Sequence, residues 1–146
     1  MNSKARLLFV LMASLLLSAC ASGKNYSGPT LPKSEVATII FGTPHTLPAM
    51  KPFTINGKPA SWAMGWNCVW MQVLPGPVEM IVTFNDLYIH SVTARRLTFN
   101  AMAGGEYVLE GWTHDNKWGV DIVEKSTKKT IAEGSVYDLA DVQKDR

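Results

Sequence analysis

The sequence predicts an all-β fold: a single antiparallel β-sandwich, or open barrel, of about seven strands that follows an apolar N-terminal leader. Three observations predict it. Residues 78–85 alternate with a period of two, setting Val78, Met80, Val82 and Phe84 on one face, the pattern of a half-buried strand. Turn dipeptides such as Asn56-Gly57, Pro75-Gly76 and Gly104-Gly105 punctuate the chain at short intervals. After the leader, only the tail from about Val136 has room for a helical pattern, and it is short.

Taken in order, the folded region begins near Ser34, where Val36, Thr38 and Ile40 belong to a β-branched stretch. Residues 42–52 are interrupted by proline and read as loop. Phe53, Thr54 and Ile55 run into Asn56-Gly57, a pair that accepts the positive φ angles of a type I′ turn, so a hairpin is expected. Residues 68–74 form an apolar stretch that stops at Pro75-Gly76-Pro77, and the strand over 78–85 follows. Leu97, Phe99 and Ala101 repeat the period of two before Gly104-Gly105. Residues 107–112 and 118–123 form a hairpin across 113–117, and residues 126–129 turn the chain into Thr130, Ile131 and Ala132. The domain is thus placed at 34–135, with a polar tail at 136–146.

The leader has three parts. Lys4 and Arg6 give a positive start, and residues 7–17 are apolar over a length that suits a signal peptide but falls short of a roughly 30 Å hydrocarbon core. The run closes on Leu17-Ser18-Ala19-Cys20. This ending resembles the lipobox of bacterial lipoproteins. The resemblance implies cleavage after residue 19, a diacylglycerol on the Cys20 sulfur, and a fatty acid of the palmitate type on the new amino group. Two or three acyl chains, each methylene contributing about 0.8 kcal/mol, anchor a protein stably where one chain would not. Ala21 and Ser22 follow, with no Asp beside the cysteine. By the same resemblance, that implies the outer membrane of the cell envelope, with the domain facing the periplasm. Residues 20–33, rich in Ser, Gly, Asn, Pro and Lys, are expected to form a flexible tether.

Charge excludes one class of partner. The chain has 14 Lys and Arg against 12 Asp and Glu. Loss of Lys4 and Arg6 with the leader leaves as many basic as acidic residues, so the basic balance of the whole chain says nothing of nucleic acid. No nucleic-acid partner is expected. Cys68 is the only cysteine besides Cys20, which rules out an internal disulfide once Cys20 is a thioether. Lying among Trp66, Val69 and Trp70, it is expected to be buried rather than reactive.

Several segments together resemble small bacterial lipoproteins and PEGA-like β-sandwich modules. They are Ile55-Asn56-Gly57-Lys58, the turn Val73-Leu74-Pro75-Gly76-Pro77-Val78, residues 99–107 with their glycine turn, and residues 118–132. The resemblance covers roughly residues 34–134 and implies a sandwich in a cell-envelope setting, with no catalytic residues to carry over. Pro77 and Val78 stand where the pattern has His or Tyr after Pro-Gly, and residues 61–67 are unusually rich in Trp and Met.

Trp62, Trp66 and Trp70 are spaced by four, so they share one face of a strand. Such a row serves as core packing, as a protein-contact surface, or as a platform for sugar rings. These three are the tentative ligand-binding residues. His45, His90 and His114 are far apart and lack the close pairing of metal ligands, so no metal and no cofactor is expected. No G-x-S-x-G elbow occurs, and Cys68 has no basic neighbour in sequence to lower its pKa. The expected function is therefore non-enzymatic. A membrane-anchored module would bind an envelope protein, or alternatively peptidoglycan or another glycan through the tryptophan row.

Overall fold

The computed structural model describes residues 23–41, 50–60, 70–85, 90–115 and 117–138. It is nearly all β, with two sheets packed face to face, the sandwich that the sequence predicts. Eleven strands occur among the described residues: β1 (Gly23–Lys24), β2 (Ala37–Ile40), β3 (Met50–Ile55), β4 (Lys58–Pro59), β5 (Trp70–Val73), β6 (Gly76–Asn85), β7 (His90–Ala101), β8 (Glu106–His114), β9 (Lys117–Glu124), β10 (Thr130–Glu133) and β11 (Ser135–Asp138). One sheet has six strands in the order β1-β5-β2-β8-β9-β10, and the other has five in the order β11-β7-β6-β3-β4. The ladders are antiparallel except for β1 with β5 and β2 with β8.

Local chemistry accounts for the turns. Asn56 and Gly57 have φ of 50° and 71°, the left-handed pair that the Asn-Gly dipeptide accepts, and they join β3 to β4. The Asn56 Oδ1 also accepts the backbone N–H of Glu79 at 2.8 Å, which ties this turn to β6. The hairpin between β8 and β9 is tighter than the sequence suggests. His114 pairs with Lys117, and Asp115 turns the chain at φ 48°.

The core lies between the sheets and follows the period of two. Val78, Met80, Val82 and Phe84 are all buried, as their alternation requires. They meet Ile39, Met71, Leu109 and Ile122 of the facing sheet. Tyr107 is 1 % exposed, its ring packs on Phe99 with centroids 5.1 Å apart, and its hydroxyl accepts the Met102 N–H at 2.8 Å. Arg95 enters from β7 and clamps the opposite sheet. Its Nε and Nη2 donate to the Trp118 carbonyl at 3.1 and 2.6 Å, and its guanidinium lies 5.0 Å from the Trp118 ring. On the outer face of the five-stranded sheet, Ile81 and Ala94 form a small second cluster with Phe53 and Tyr137. Arg96 stands 4.1 Å over the Tyr137 ring.

Two expectations about the ends are corrected. From Gly23 onward, the polar segment read as tether is docked on the sandwich. Gly23 and Lys24 pair with Met71 and Gln72, the Asn25 N–H donates to the Gln72 carbonyl at 2.9 Å, and the Asn25 side chain donates to the Ile55 carbonyl at 3.2 Å. Tyr26 is 8 % exposed, and its hydroxyl receives the Leu31 N–H at 3.2 Å. One aromatic ring and a few backbone hydrogen bonds order a stretch whose composition alone predicts none. At the other end, residues 135–138 of the supposed tail form β11, in register with Ser135 opposite Arg96 and Asp138 opposite Thr93.

Candidate interaction surface

The feature that the core does not absorb is the outer face of the six-stranded sheet. Met71 and Val73 belong to the core, so Trp70 and Gln72 point to the other side of β5. Register then carries one row across four strands: Trp70 opposite Ile40, Ile40 opposite Val108, and Val108 opposite Val123. This row is an apolar band on the outer face, with Trp70 and Val108 half-buried.

One row further along β8 the chemistry changes. Glu110 is opposite Asp121, and Asp121 is opposite Glu133, so three carboxylates lie side by side on adjacent strands. Like charges directly opposite in a sheet are unfavourable. Among the described residues no ion pair neutralises the row. Burial raises the Asp121 pKa above the usual aspartate range. The Glu133 carboxylate, and less strongly that of Glu110, push it the same way. The Trp112 indole N–H, which faces Asp121, and the nearby Gly134 backbone N–H, which donates to the Val120 carbonyl at 2.8 Å, hold the shift back.

Trp112 closes the pattern. It is opposite Gly119, and its indole lies where a side chain on that residue would have to stand, so glycine gives the ring a flat seat on the sheet. Held at its edge by Asp121, the ring is still 49 % exposed. An exposed indole next to carboxylates can accept a cationic group on its face or stack on an apolar ring.

Cys20, Trp62 and Trp66 lie outside the described residues, as do Cys68 and His45. Trp70 is half-buried and shares its face with the apolar band rather than with the core. His114 forms an exposed pair with Asp115 at 3.1 Å. Among the described residues no group of His, Cys, Asp and Glu could hold a metal ion, and no helix is long and apolar enough to cross a membrane. Among the described residues, depressions open to solvent lie away from this face beside Val78 and Phe99 and beside Tyr26 and Leu74.

No protein-family model matches this sequence, and comparison with characterised proteins and with solved structures gives no significant match.

Proposed function

We propose that the chain is a lipid-anchored module of the bacterial envelope, related to PEGA-like sandwiches, held at the outer membrane through Cys20, and non-enzymatic. It binds an envelope protein on the outer face of the six-stranded sheet. The observation that supports this reading is the Glu110–Asp121–Glu133 row beside the exposed Trp112 indole. The row is unfavourable within the chain, and a partner presenting Lys or Arg relieves it while the indole receives the same cations. To test it, a photoreactive residue replaces Glu110 in living cells, and adducts are captured and identified by mass spectrometry. A discrete adduct with one envelope protein, lost in Asp121→Lys, is expected. Recovery of the chain on the cell-wall fraction with no protein adduct would overturn this reading.

A second reading rests on the same exposed indole. Trp112 on its glycine seat, with carboxylates in reach of sugar hydroxyls, has the makings of a platform for peptidoglycan or another glycan. Trp112→Ala would then abolish sedimentation with cell walls. The protein-contact reading predicts no such sedimentation for the parent chain.

A further inference from the structure

The ladders set one end of the sandwich beside the point where the chain leaves for Cys20. Gly23 is opposite Met71, Met71 opposite Ile39, and Ile39 opposite Tyr107, so the start of β1 is level with the second residue of β8. The β8–β9 turn lies seven residues further along, about 24 Å away. The near end is the one where β8 begins. Lys24 is level with Glu106, the Lys125 N–H donates to the Glu106 carbonyl at 2.9 Å, and the Gly104 N–H donates to the Val36 carbonyl at 2.8 Å. Cys20 is three residues from Gly23, a link of at most about 10 Å. A chain anchored there can rest its near end on the headgroups or lie on its β1 edge, but it cannot stand on the β8–β9 turn.

Charge separates the two poses that remain. At the near end Lys24, Lys33, Lys125, Lys128 and Lys129 are all exposed, and they outnumber Glu35, Glu106 and Glu124. One of these glutamates is already paired, since Lys125 reaches Glu106 at 2.7 Å. The loops at the same end carry Leu74, 49 % exposed, and Met102, 62 % exposed. Further up the six-stranded sheet the sign reverses in the row of Glu110, Asp121 and Glu133. Lying on the β1 edge would put the β9–β10 turn four strands from the bilayer, about 19 Å, beyond the roughly 8 Å screening length of physiological salt. Lys125, Lys128 and Lys129 would then feel little of the lipid. Standing on the near end brings all five lysines to it and lifts the carboxylates away.

We infer that this lysine end is a docking surface for anionic phospholipid headgroups, and that the lipidated chain stands on it with the β8–β9 turn pointing away. The inference rests on the lipid anchor at Cys20 proposed above. Lysines clustered beside a membrane anchor are drawn to anionic headgroups. Leu74 and Met102 offer apolar side chains to the boundary beneath those headgroups. The anchor holds the domain, and the lysines orient it. Trp112 is the competing interfacial side chain, but it lies five residues beyond the level of Gly23, about 17 Å, which the link cannot make up. In this pose Glu110 stands about 14 Å above Glu106, so a partner of the carboxylate row approaches from the side of the domain.

The test uses the full lipidated chain. A fluorescent amino acid replaces Ser126 in the β9–β10 turn or, separately, Thr113 beside the β8–β9 turn, both exposed positions. Each protein is reconstituted in vesicles of phosphatidylcholine with phosphatidylglycerol, or of phosphatidylcholine alone, that carry a headgroup spin-labelled quencher. Flotation with the vesicles reads the anchor, and quenching reads the pose. The expected result is floating protein that loses fluorescence at 126 and keeps it at 113 when phosphatidylglycerol is present. The loss at 126 should be relieved in phosphatidylcholine alone, and again when Lys128→Glu is combined with Lys129→Glu. Floating protein that stays bright at both positions, or is quenched at 113 as much as at 126 or more, overturns the docking surface and leaves the anchor standing. Quenching at 126 that is the same with and without phosphatidylglycerol does so too, because the tether alone would then set the pose. Protein that does not float overturns the anchor and this inference with it.

Discussion

Tyr26→Ala should release the N-terminal segment without unfolding the sandwich. Tyr26 is 8 % exposed, its hydroxyl accepts the Leu31 N–H and reaches the Gln72 side chain at 3.5 Å, and Lys24 stands 5.2 Å from its ring. Replacing a buried aromatic with alanine costs about 3–5 kcal/mol. Tyr26 lies in the bend just after the edge strand β1, where water can refill the site, so about 3 kcal/mol is the appropriate figure. Amide exchange of a locally opening segment follows its own opening free energy. A loss of about 3 kcal/mol therefore speeds exchange at the Asn25 amide roughly a hundredfold. Amides of Leu97 and Leu109 in the core strands should hold their protection, and trypsin should cut the variant after Lys24 and Lys33 ahead of any other site. Tyr26→Phe keeps the ring and loses only the hydroxyl contacts, so its effect should be close to 1 kcal/mol. Unchanged protection of Asn25 in Tyr26→Ala would show that β1 holds to β5 without the ring, and the account of the docked segment would fall.

Two further outcomes are expected. Tyr107→Phe removes the acceptor of the Met102 N–H from a ring that stays packed. Met102 lies in an exposed turn where water can replace that acceptor, so denaturant titration should show a loss of about 1 kcal/mol, at the low end for a buried hydrogen bond. Asp121→Asn keeps an oxygen facing the Trp112 indole N–H while relieving two cross-strand repulsions of about 0.2–1 kcal/mol each, so it should stabilise the fold at neutral pH. The sign follows from the raised pKa: the folded state holds the Asp121 proton to higher pH than the unfolded state does. Stability of the parent chain therefore falls as pH rises from the ordinary aspartate range, about 3.9, through the raised value. Melting temperatures of the two proteins should converge in acid and separate toward neutral pH, and the reverse trend would refute the assignment.

Much of the fold was legible because the period of two is hard to counterfeit. The face over Val78, Met80, Val82 and Phe84 and the Asn56-Gly57 turn are both found where the residues place them. The surface was less legible, and the β8–β9 hairpin shows why. A five-residue turn over 113–117 would set Trp112 opposite Trp118. The tighter turn sets Trp112 opposite Gly119 and Thr113 opposite Trp118. A one-residue slip exchanges the faces of a strand, so one indole goes out and the other goes in. Only the glycine opposite Trp112 hints at this in the sequence. The carboxylate row was hidden for the same reason, since Glu110, Asp121 and Glu133 become neighbours only once three strands are in register. Arg95 reads as surface charge, yet its position in β7 turns it toward the Trp118 carbonyl.

The parallel ladders have a consequence for how the chain acquires its structure. Thr38 must find Glu106 and Gly23 must find Met71, so the strands nearest the N-terminus wait for partners made much later. Further along, β10 and β11 are joined through Gly134 yet belong to different sheets, so one edge of each sheet is supplied by two consecutive strands. Pairings this distant in sequence place folding in the slow, millisecond-to-second regime of all-β domains. Neither sheet can be completed on a partly emerged chain. The sandwich therefore closes only when β10 joins β9 and β11 joins the distant β7, so its two sheets are completed together rather than one after the other.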